Sequence, residues 1–183
     1  MANSGETGED DAPITASKTA KSERDLFARA VTINRPAQEV YDFFRNFENL
    51  PKFMENIERI ECRDDKVSHW VVKAPLGKTV EWDAELTEEV PGKALYWQSR
   101  EGADVANSGR VTFTERPGRG TVVNATFAWE PPAGTVGKIV AKLFQREPHV
   151  QARRDLRRLK QLLETGEIAT GARNRRLLEE GKN

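Results

Sequence analysis

The residues that could bind a metal ion or act as nucleophiles are few and lie far apart in the chain. His69 and His149 are the two histidines, and Cys62 is the single cysteine. A zinc or iron site needs three or four ligands at suitable spacing, and this set does not supply them. We therefore predict no metal site. His69 has the strand parity of Val67 and the opposite parity to Trp70, so we expect its ring to face solvent, and we interpret Cys62 as an incidental thiol.

Inside the predicted folded domain, acidic residues cluster at Glu81, Asp83 and Glu85, which alternate along one predicted strand face. A general acid or base needs a desolvated setting that shifts its pKa, and a wet strand face does not provide one. The sequence has no G-x-S-x-G nucleophile elbow, and the G-x-G at Gly118 and Gly120 is not followed by a helix. We predict no catalytic residue and no cofactor.

A basic cluster near the carboxyl end is the strongest charge signal in the chain. Residues 135–165 contain eight basic and three acidic side chains, a net charge of +5. On a helical wheel the cluster lies opposite a leucine stripe. It could be a solvated helix face, a contact with an anionic membrane, or a contact with RNA or a ribosome. The basic residues are Arg153, Arg154, Arg157, Arg158 and Lys160.

The elements that must position these residues are mainly strands. In the segment 79–87, apolar and polar residues alternate without exception, which predicts a strand with one dry face and one wet face. Further strands are predicted over 26–33, from Glu58 onward, over 67–74, around 95–99, around 109–113 and over 123–129. Two short helices follow the first strand, one after Pro36 and one starting near Pro51.

The carboxyl-terminal segment is predicted to be helical with a break. One apolar stripe runs from Val136 to Phe144, and a second includes Leu156, Leu159, Leu162 and Leu163. In one continuous helix the two stripes would point about 150° apart, so one straight helix could not bury both. We predict a break or kink over 145–148, where Pro148 removes a backbone hydrogen bond.

Length and composition limit the classes of protein to which the chain can belong. The chain has 183 residues, 37% of them hydrophobic and 32% charged, with 29 basic and 29 acidic side chains. These values predict a disordered leader over 1–22, one folded domain over 23–165 and a polar tail over 166–183 that could form a short helix. No apolar stretch is long enough to span a membrane, the amino terminus does not resemble a secretory signal, and a single cysteine suits a reducing cytoplasm.

Four segments resemble one known family. They are NRPAQEVYDFFRNFENLPKFM, PGKALYWQSREGA, FAWEPPAG and LFQREPHVQARRDLRRLKQLLETGE. Together with the element order β-αα-β6-α, they resemble the polyketide cyclase/dehydrase branch of the START-like (SRPBCC) superfamily, which includes coenzyme-Q-binding proteins and a ribosome-associating toxin. The resemblance covers about 27–165. It implies an α+β helix-grip fold, in which a curved antiparallel sheet wraps around a long carboxyl-terminal helix.

The resemblance also implies a hydrophobic cavity between the sheet and that helix. Large aromatic residues alternate with small ones on the predicted inner face, which leaves volume that the backbone cannot fill. The alternative is that these side chains fill a solid core. The predicted lining residues are Trp70, Val72, Trp82, Ala84, Trp97, Ser99, Val111, Phe113, Ala125 and Phe127.

Three functions remain open at this point. The first is non-enzymatic binding of a lipophilic small molecule, such as a quinone, an isoprenoid or a lipid, with peripheral contact to an anionic membrane. The second is a cyclase or aromatase acting on a bound polyketide, for which Tyr96, Gln98 and Ser99 are the nearest inward polar candidates. The third is an interaction protein that resembles the ribosome-associating toxin. The lack of an acid/base or metal constellation favours binding over catalysis.

Overall fold

The structure is a computed structural model that describes residues 25–74, 77–130 and 148–169. The predicted leader, most of the polar tail, the apolar stripe from Val136 to Phe144 and the predicted break before Pro148 lie outside these residues. The described elements begin with a strand, β1 (Asp25–Ile33), a helix, α1 (Ala37–Arg45), and a 3₁₀ helix (Phe47–Lys52). Six strands follow: β2 (Ile57–Cys62), β3 (Val67–Lys73), β4 (Thr79–Val90), β5 (Ala94–Ser99), β6 (Ala106–Arg116) and β7 (Gly120–Glu130). The last helix is α2 (Pro148–Thr165).

The seven strands form one curled antiparallel sheet in the order β1-β7-β6-β5-β4-β3-β2. Consecutive strands from β2 to β7 are neighbours, and β1 closes the far side against β7. The helices cover the concave face, and α2 packs mainly along β1. This arrangement confirms the predicted helix-grip fold, including its strand, two short helices, six strands and final helix.

Alternation decides which side chains face the core. On β4, Val80, Ala84 and Leu86 are buried while Thr79 and Glu81 are exposed, as the sequence pattern predicts. The helices add Val40 and Phe44 of α1, Leu50 of the 3₁₀ helix, and Leu156 and Leu159 of α2 to the same core cluster. The apolar side chains that recur every two residues in the strands and every 3.6 residues in the helices therefore pack together in one layer between the sheet and the helices.

Two element boundaries differ from prediction. The second short helix begins at Phe47 rather than near Pro51, and it is a 3₁₀ helix. The Asn46 side chain accepts a hydrogen bond from the Glu48 backbone N–H and so caps it four residues earlier than the proline suggested. Strand β4 continues to Val90 because a bulge between Leu86 and Glu88 restores pairing with β5 up to the turn.

The bulge places Glu89 in contact with α1. Glu89 accepts hydrogen bonds from the Tyr41 hydroxyl and, at 2.7 Å, from Arg45 Nε. Burial, with the hydrogen bond to Glu89 as a further cause, raises the pKa of Tyr41 to about 12. The phenol therefore stays protonated as a donor, and α1 is held over the β4–β5 end of the sheet.

One close approach in the sheet depends on a glycine. Gly109 of β6 lies directly opposite Trp97 of β5, and the Trp97 indole lies across it. A Cβ atom at position 109 would be 2.0 Å from Trp97 Cζ2 and 2.3 Å from Cε2. The rigid ring cannot move away from such a contact without disturbing the neighbours packed around it.

We predict that Gly109→Ala lowers the free energy of unfolding by about 1–3 kcal/mol, the usual cost of overpacking a core. Urea unfolding followed by circular dichroism measures the change. Ser108→Ala is the matched control, because Ser108 is exposed on the neighbouring position of the same strand. Equal stabilities for the two variants would contradict the packing of Trp97 over Gly109.

Candidate functional site

A row of aromatic rings crosses the concave face of the sheet. Trp70 and Trp82 are directly paired on β3 and β4, and their rings stack at 6.1 Å with an interplanar angle of 17°. Trp97 stacks on Trp70 at 6.3 Å and 16°, so Trp70 is the middle member. Phe127 of β7 then meets Trp97 edge to face at 5.7 Å and 67°. We call Trp82, Trp70, Trp97 and Phe127 the aromatic row.

The middle of the aromatic row is closed and its ends are more open. Phe47 of the 3₁₀ helix packs edge-on against both Trp70 and Trp97, with 5.8 Å between ring centroids in each case. Trp70 and Trp97 are accordingly 4% and 3% exposed. Trp82 and Phe127, at the two ends, are only half-buried. A flat apolar ligand would therefore meet ring surface at the ends and not at the middle.

The ten predicted lining residues separate into two groups. Trp82, Ser99 and Phe127 are half-buried and keep surface that a ligand could contact. The others belong to the buried core, and most of them pack against helix side chains or neighbouring strands. This buried group is Trp70, Val72, Ala84, Trp97, Val111, Phe113 and Ala125.

Several polar groups lie among these rings. The buried Ser68 hydroxyl accepts a hydrogen bond of 2.9 Å from Trp70 Nε1, and the Ser99 hydroxyl accepts one of 3.0 Å from the Asn107 backbone N–H. The Trp82 indole N–H is buried without a hydrogen-bond partner. Such an orphaned donor costs about 1–3 kcal/mol, so it is a point where a ligand acceptor would stabilise the protein if the site opened to it.

Two of the three inward polar candidates lie on the other face of β5. Tyr96 pairs with Arg110, whose guanidinium stands 5.1 Å from the Tyr96 ring centroid on the convex side. Gln98 has the same parity and is exposed. Because residues alternate along a strand, the burial of Trp97 places both of its neighbours outward. Ser99 alone of the three lies on the concave face.

The sequence-based analysis missed a buried acid on α2. Asp155 is only 6% exposed, and Gln151 Nε2 donates a hydrogen bond of 2.8 Å to its carboxylate. Desolvation by burial raises its pKa from 3.8 to about 7, although hydrogen bonds from the Gln151 side chain and the Glu55 backbone act in the opposite direction. The Glu55 charge raises this pKa further, and Arg158 lowers it. The sequence contained a signal for this burial, because position 155 lies beside the apolar Ala152 and Leu159 on the helical wheel.

Asp155 belongs to a polar cluster that joins α2 to the segment after the 3₁₀ helix. The Glu55 carboxylate pairs with Arg158 and lies 3.8 Å from Arg154. The Arg158 Nε atom is also buried, without a hydrogen-bond partner. We call Glu55, Arg154, Asp155 and Arg158 the Glu55 cluster. It fixes one flank of α2 against a residue 103 positions earlier in the chain.

The other flank of α2 is held against β1 and the loop that follows it. Lys160 Nζ donates to the Thr32 carbonyl oxygen at 2.7 Å and to Glu164 at 2.6 Å. Arg35 donates to the Leu163 and Glu164 carbonyl oxygens at 2.8 and 3.1 Å, which caps the last turn of the helix. The predicted basic set is thus divided: Arg158 and Lys160 bond within the fold, while Arg153, Arg154 and Arg157 are exposed.

The remaining chemical candidates lie on different faces of the sheet. Cys62 pairs with the buried Ser68 on the concave side, whereas His69 is on the convex side. His69 faces this side, as predicted, but its side chain is only 17% exposed, because Asp83 and Glu81 approach its two ring nitrogens at 2.8 and 3.5 Å. Cys62 ends β2, where partial burial and then the Glu48 charge raise its pKa, the opposite of what a nucleophile needs. The side chain of His149 lies outside the described residues. Within those residues, no cluster of three or more potential metal ligands occurs.

No helix in the described part of the chain is both long enough and apolar enough to cross a lipid bilayer.

Comparison with known proteins gives consistent matches. Residues 25–164 match the model of a family described as polyketide cyclase/dehydrase and lipid transport. An uncharacterized 17.2 kDa protein from the melC2-rnhH intergenic region of Streptomyces lincolnensis is 32% identical over 143 residues, which are 78% of this chain and 91% of that protein. A crystal structure of a Deinococcus radiodurans protein is 40% identical with a TM-score of 0.63, and the match covers 78% of this chain and 100% of that one.

More distant structures share the fold. The Zhui aromatase/cyclase from Streptomyces sp. R1128 superposes with a TM-score of 0.61 at 13% identity, over 80% of this chain and 99% of that chain.

The raised pKa of Asp155 predicts that the stability of the protein depends on pH. In the folded protein its carboxyl keeps its proton up to about pH 7, whereas in the unfolded chain it loses the proton above about pH 4. Between about pH 4 and pH 7 the unfolded state thus binds fewer protons than the folded state. The contribution of Asp155 to the free energy of unfolding therefore falls as the pH rises through this range, and it is constant above it. We expect Asp155→Asn to raise the free energy of unfolding by about 2–4 kcal/mol above pH 7 and by little near pH 4. Urea titrations at both pH values measure this, and an equal effect at both would contradict it.

Proposed function

Because this chain belongs to the polyketide cyclase/dehydrase and lipid transport family, we propose that it binds a lipophilic small molecule between the aromatic row and α2. The observation that carries the proposal is the exposure along the row. Trp82 and Phe127 keep aromatic surface open on the concave side, while Phe47 closes the middle. Half-buried aromatic surface of this kind, bordered by few polar groups, is typical of small-molecule sites.

The ligand class follows from the chemistry of this surface. Ring faces favour a flat or extended apolar molecule, and each square ångström of apolar surface removed from water contributes about 25 cal/mol before the costs of association. The orphaned Trp82 N–H would favour a molecule that also carries a carbonyl or other acceptor oxygen. A quinone with an isoprenoid tail combines these properties, and a lipid acyl chain with an ester group does so as well.

The polar groups beside the row support binding over catalysis. The Ser68 and Ser99 hydroxyls already accept hydrogen bonds from Trp70 and Asn107, and these bonds orient the protein's own groups. Their role in this proposal is to hold the wall of the site in one conformation. The ligand would then be retained by shape and by apolar contact.

A second candidate is cyclisation of a bound polyketide chain. The family description includes cyclases, and the Zhui aromatase/cyclase shares the fold. A pocket can accelerate such a reaction largely by holding a reactive chain in a folded shape. Ser99, with its hydroxyl on the concave face, is the residue through which we would test this reaction. Incubation with a linear polyketide thioester would give a cyclised product with the wild type and less of it with Ser99→Ala.

The direct test of binding is to identify what the protein carries. We expect protein purified from its own host, denatured and extracted with organic solvent, to release a quinone, isoprenoid or lipid in near-stoichiometric amount, detected by mass spectrometry. Bovine serum albumin taken through the same steps controls for carry-over. An extract with no apolar compound above that control, together with no binding of an added quinone, would refute the proposal.

A variant pair locates the ligand on the aromatic row. We predict that Trp82→Ala weakens binding of a short-chain benzoquinone by about three- to tenfold, because one ring face of the site is lost. Tryptophan fluorescence quenching measures the affinity, since Trp70 and Trp97 remain as reporters. Tyr96→Ala is the matched control, because it removes an aromatic ring from the convex face of the neighbouring strand. Similar affinities for the two variants would place the ligand elsewhere.

A further inference from the structure

The side of α2 that faces away from the sheet has an unusual charge distribution. At 100° per residue, Val150, Arg153, Arg154, Arg157 and Gln161 fall on one side, and all five are exposed. We call these residues the outer face of α2. Arg154 has a side chain that is 59% exposed, and Val150 is one of the two large hydrophobic residues that are exposed in the described part of the chain.

The arginines of the outer face have few acidic partners. Within the described residues, Arg153 and Arg157 have no ion-pair or hydrogen-bond partner, and Arg154 has only the 3.8 Å contact with Glu55. The two acids of α2 are unavailable, because Asp155 is buried and Glu164 accepts hydrogen bonds from Asn34 and Lys160. Arg153 and Arg157 are four residues apart on one helix face, where like charges repel each other.

Several other arginines of the domain have close acidic partners. Arg45, Arg59 and Arg63 pair with Glu89, Glu61 and Asp83 at 2.7, 2.9 and 3.0 Å. The whole chain is electrically neutral, with 29 basic and 29 acidic side chains. Lys93 and Arg116 are likewise exposed without an ion pair in the described residues, but the outer face of α2 concentrates three arginines within five consecutive positions, with a single acidic contact at 3.8 Å. This density of positive charge favours a negatively charged partner.

We propose that the outer face of α2 docks on a lipid bilayer that contains anionic lipids. The proposal rests on the binding function proposed above, because a ligand of that class resides in the bilayer and α2 forms one side of the site. Clusters of basic residues on a helix are attracted to the negative surface potential of a bilayer that contains anionic lipids. The outer face supplies three exposed arginines, with the exposed Val150 beside them. Single-stranded RNA binding favours exposed aromatic side chains for base stacking, and the outer face has none.

Vesicle co-sedimentation tests the proposal with the full chain. One set of vesicles is phosphatidylcholine alone, and the other also contains phosphatidylglycerol; neither contains a quinone. We expect the wild type to sediment with the anionic vesicles only, and the binding to weaken as NaCl is added. The double variant Arg153→Glu/Arg157→Glu should lose about tenfold or more in partitioning, since each basic residue near an anionic surface contributes roughly fivefold. Arg153→Gln/Arg157→Gln should lose less.

The matched control is Lys93→Glu/Arg116→Glu, which makes the same change in net charge at two exposed positions of β6 and the β4–β5 turn. It should retain nearly all of the vesicle binding, and circular dichroism should show that all variants are folded. Absence of binding to anionic vesicles, or equal losses in the two glutamate variants, would overturn the proposal. So would strong binding to poly(U) that depends on Arg153 and Arg157 when vesicle binding does not.

The test of membrane docking can fail independently of the test of ligand binding. The benzoquinone affinity of Arg153→Glu/Arg157→Glu should equal that of the wild type, because these side chains point away from the aromatic row. If vesicles bind but neither the extract nor the added quinone shows a ligand, the membrane contact stands and the binding function fails. If the quinone binds but anionic vesicles do not, only the docking surface is refuted.

Discussion

The stacking of large aromatic rings on one face of a single sheet is the constraint on which the other features of this domain depend. Three indole rings and a phenyl ring fit side by side only where the neighbouring positions are small, and Gly109 lies directly beneath the Trp97 ring. Ala84 of β4 and Ala125 of β7 are small members of the same buried core. The 3₁₀ helix then has a defined place, because Phe47 must reach both Trp70 and Trp97. Its position closes the middle of the row and leaves Trp82 and Phe127 as the half-buried ends, where binding is proposed.

The last helix is held in a different way from the strands. Leu156 and Leu159 enter the common core, but the two flanks of α2 depend on polar contacts with segments more than a hundred residues away in sequence. These contacts join partly exposed groups, so solvent weakens them, and the buried carboxyl of Asp155 opposes stability at neutral pH. We therefore expect α2 to separate from the sheet more readily than the strands separate from each other. Under the proposed binding function, in which a ligand enters between sheet and helix, α2 is the element whose movement would open the site.

The two proposals use opposite sides of the same helix. On the inner side of α2, Leu156 and Leu159 belong to the same hydrophobic core as Trp70 and Trp97. Its outer side carries three arginines without strong partners in the described part of the chain. Docking through the outer side would bring the ligand site close to the bilayer from which an apolar molecule must come. The division of the five basic residues supports this separation of roles, because Arg158 and Lys160 bind the fold while the others are exposed.

The sequence by itself determined the order of the elements, the alternation along β4 and the composition of the concave face, because these follow from local periodicity of two and 3.6 residues. It also placed the basic cluster on the side of α2 opposite the leucines. Periodicity could not determine which of the basic residues form ion pairs or hydrogen bonds within the fold. Glu55 and Arg158, for example, are brought together by the path of the whole chain. The outward direction of Tyr96 and Gln98 follows from the same strand alternation once Trp97 is buried. The burial of Asp155 and the open ends of the aromatic row, in contrast, were decided by packing. Tertiary structure decides these features because desolvation depends on every neighbour of a side chain, near or far in sequence.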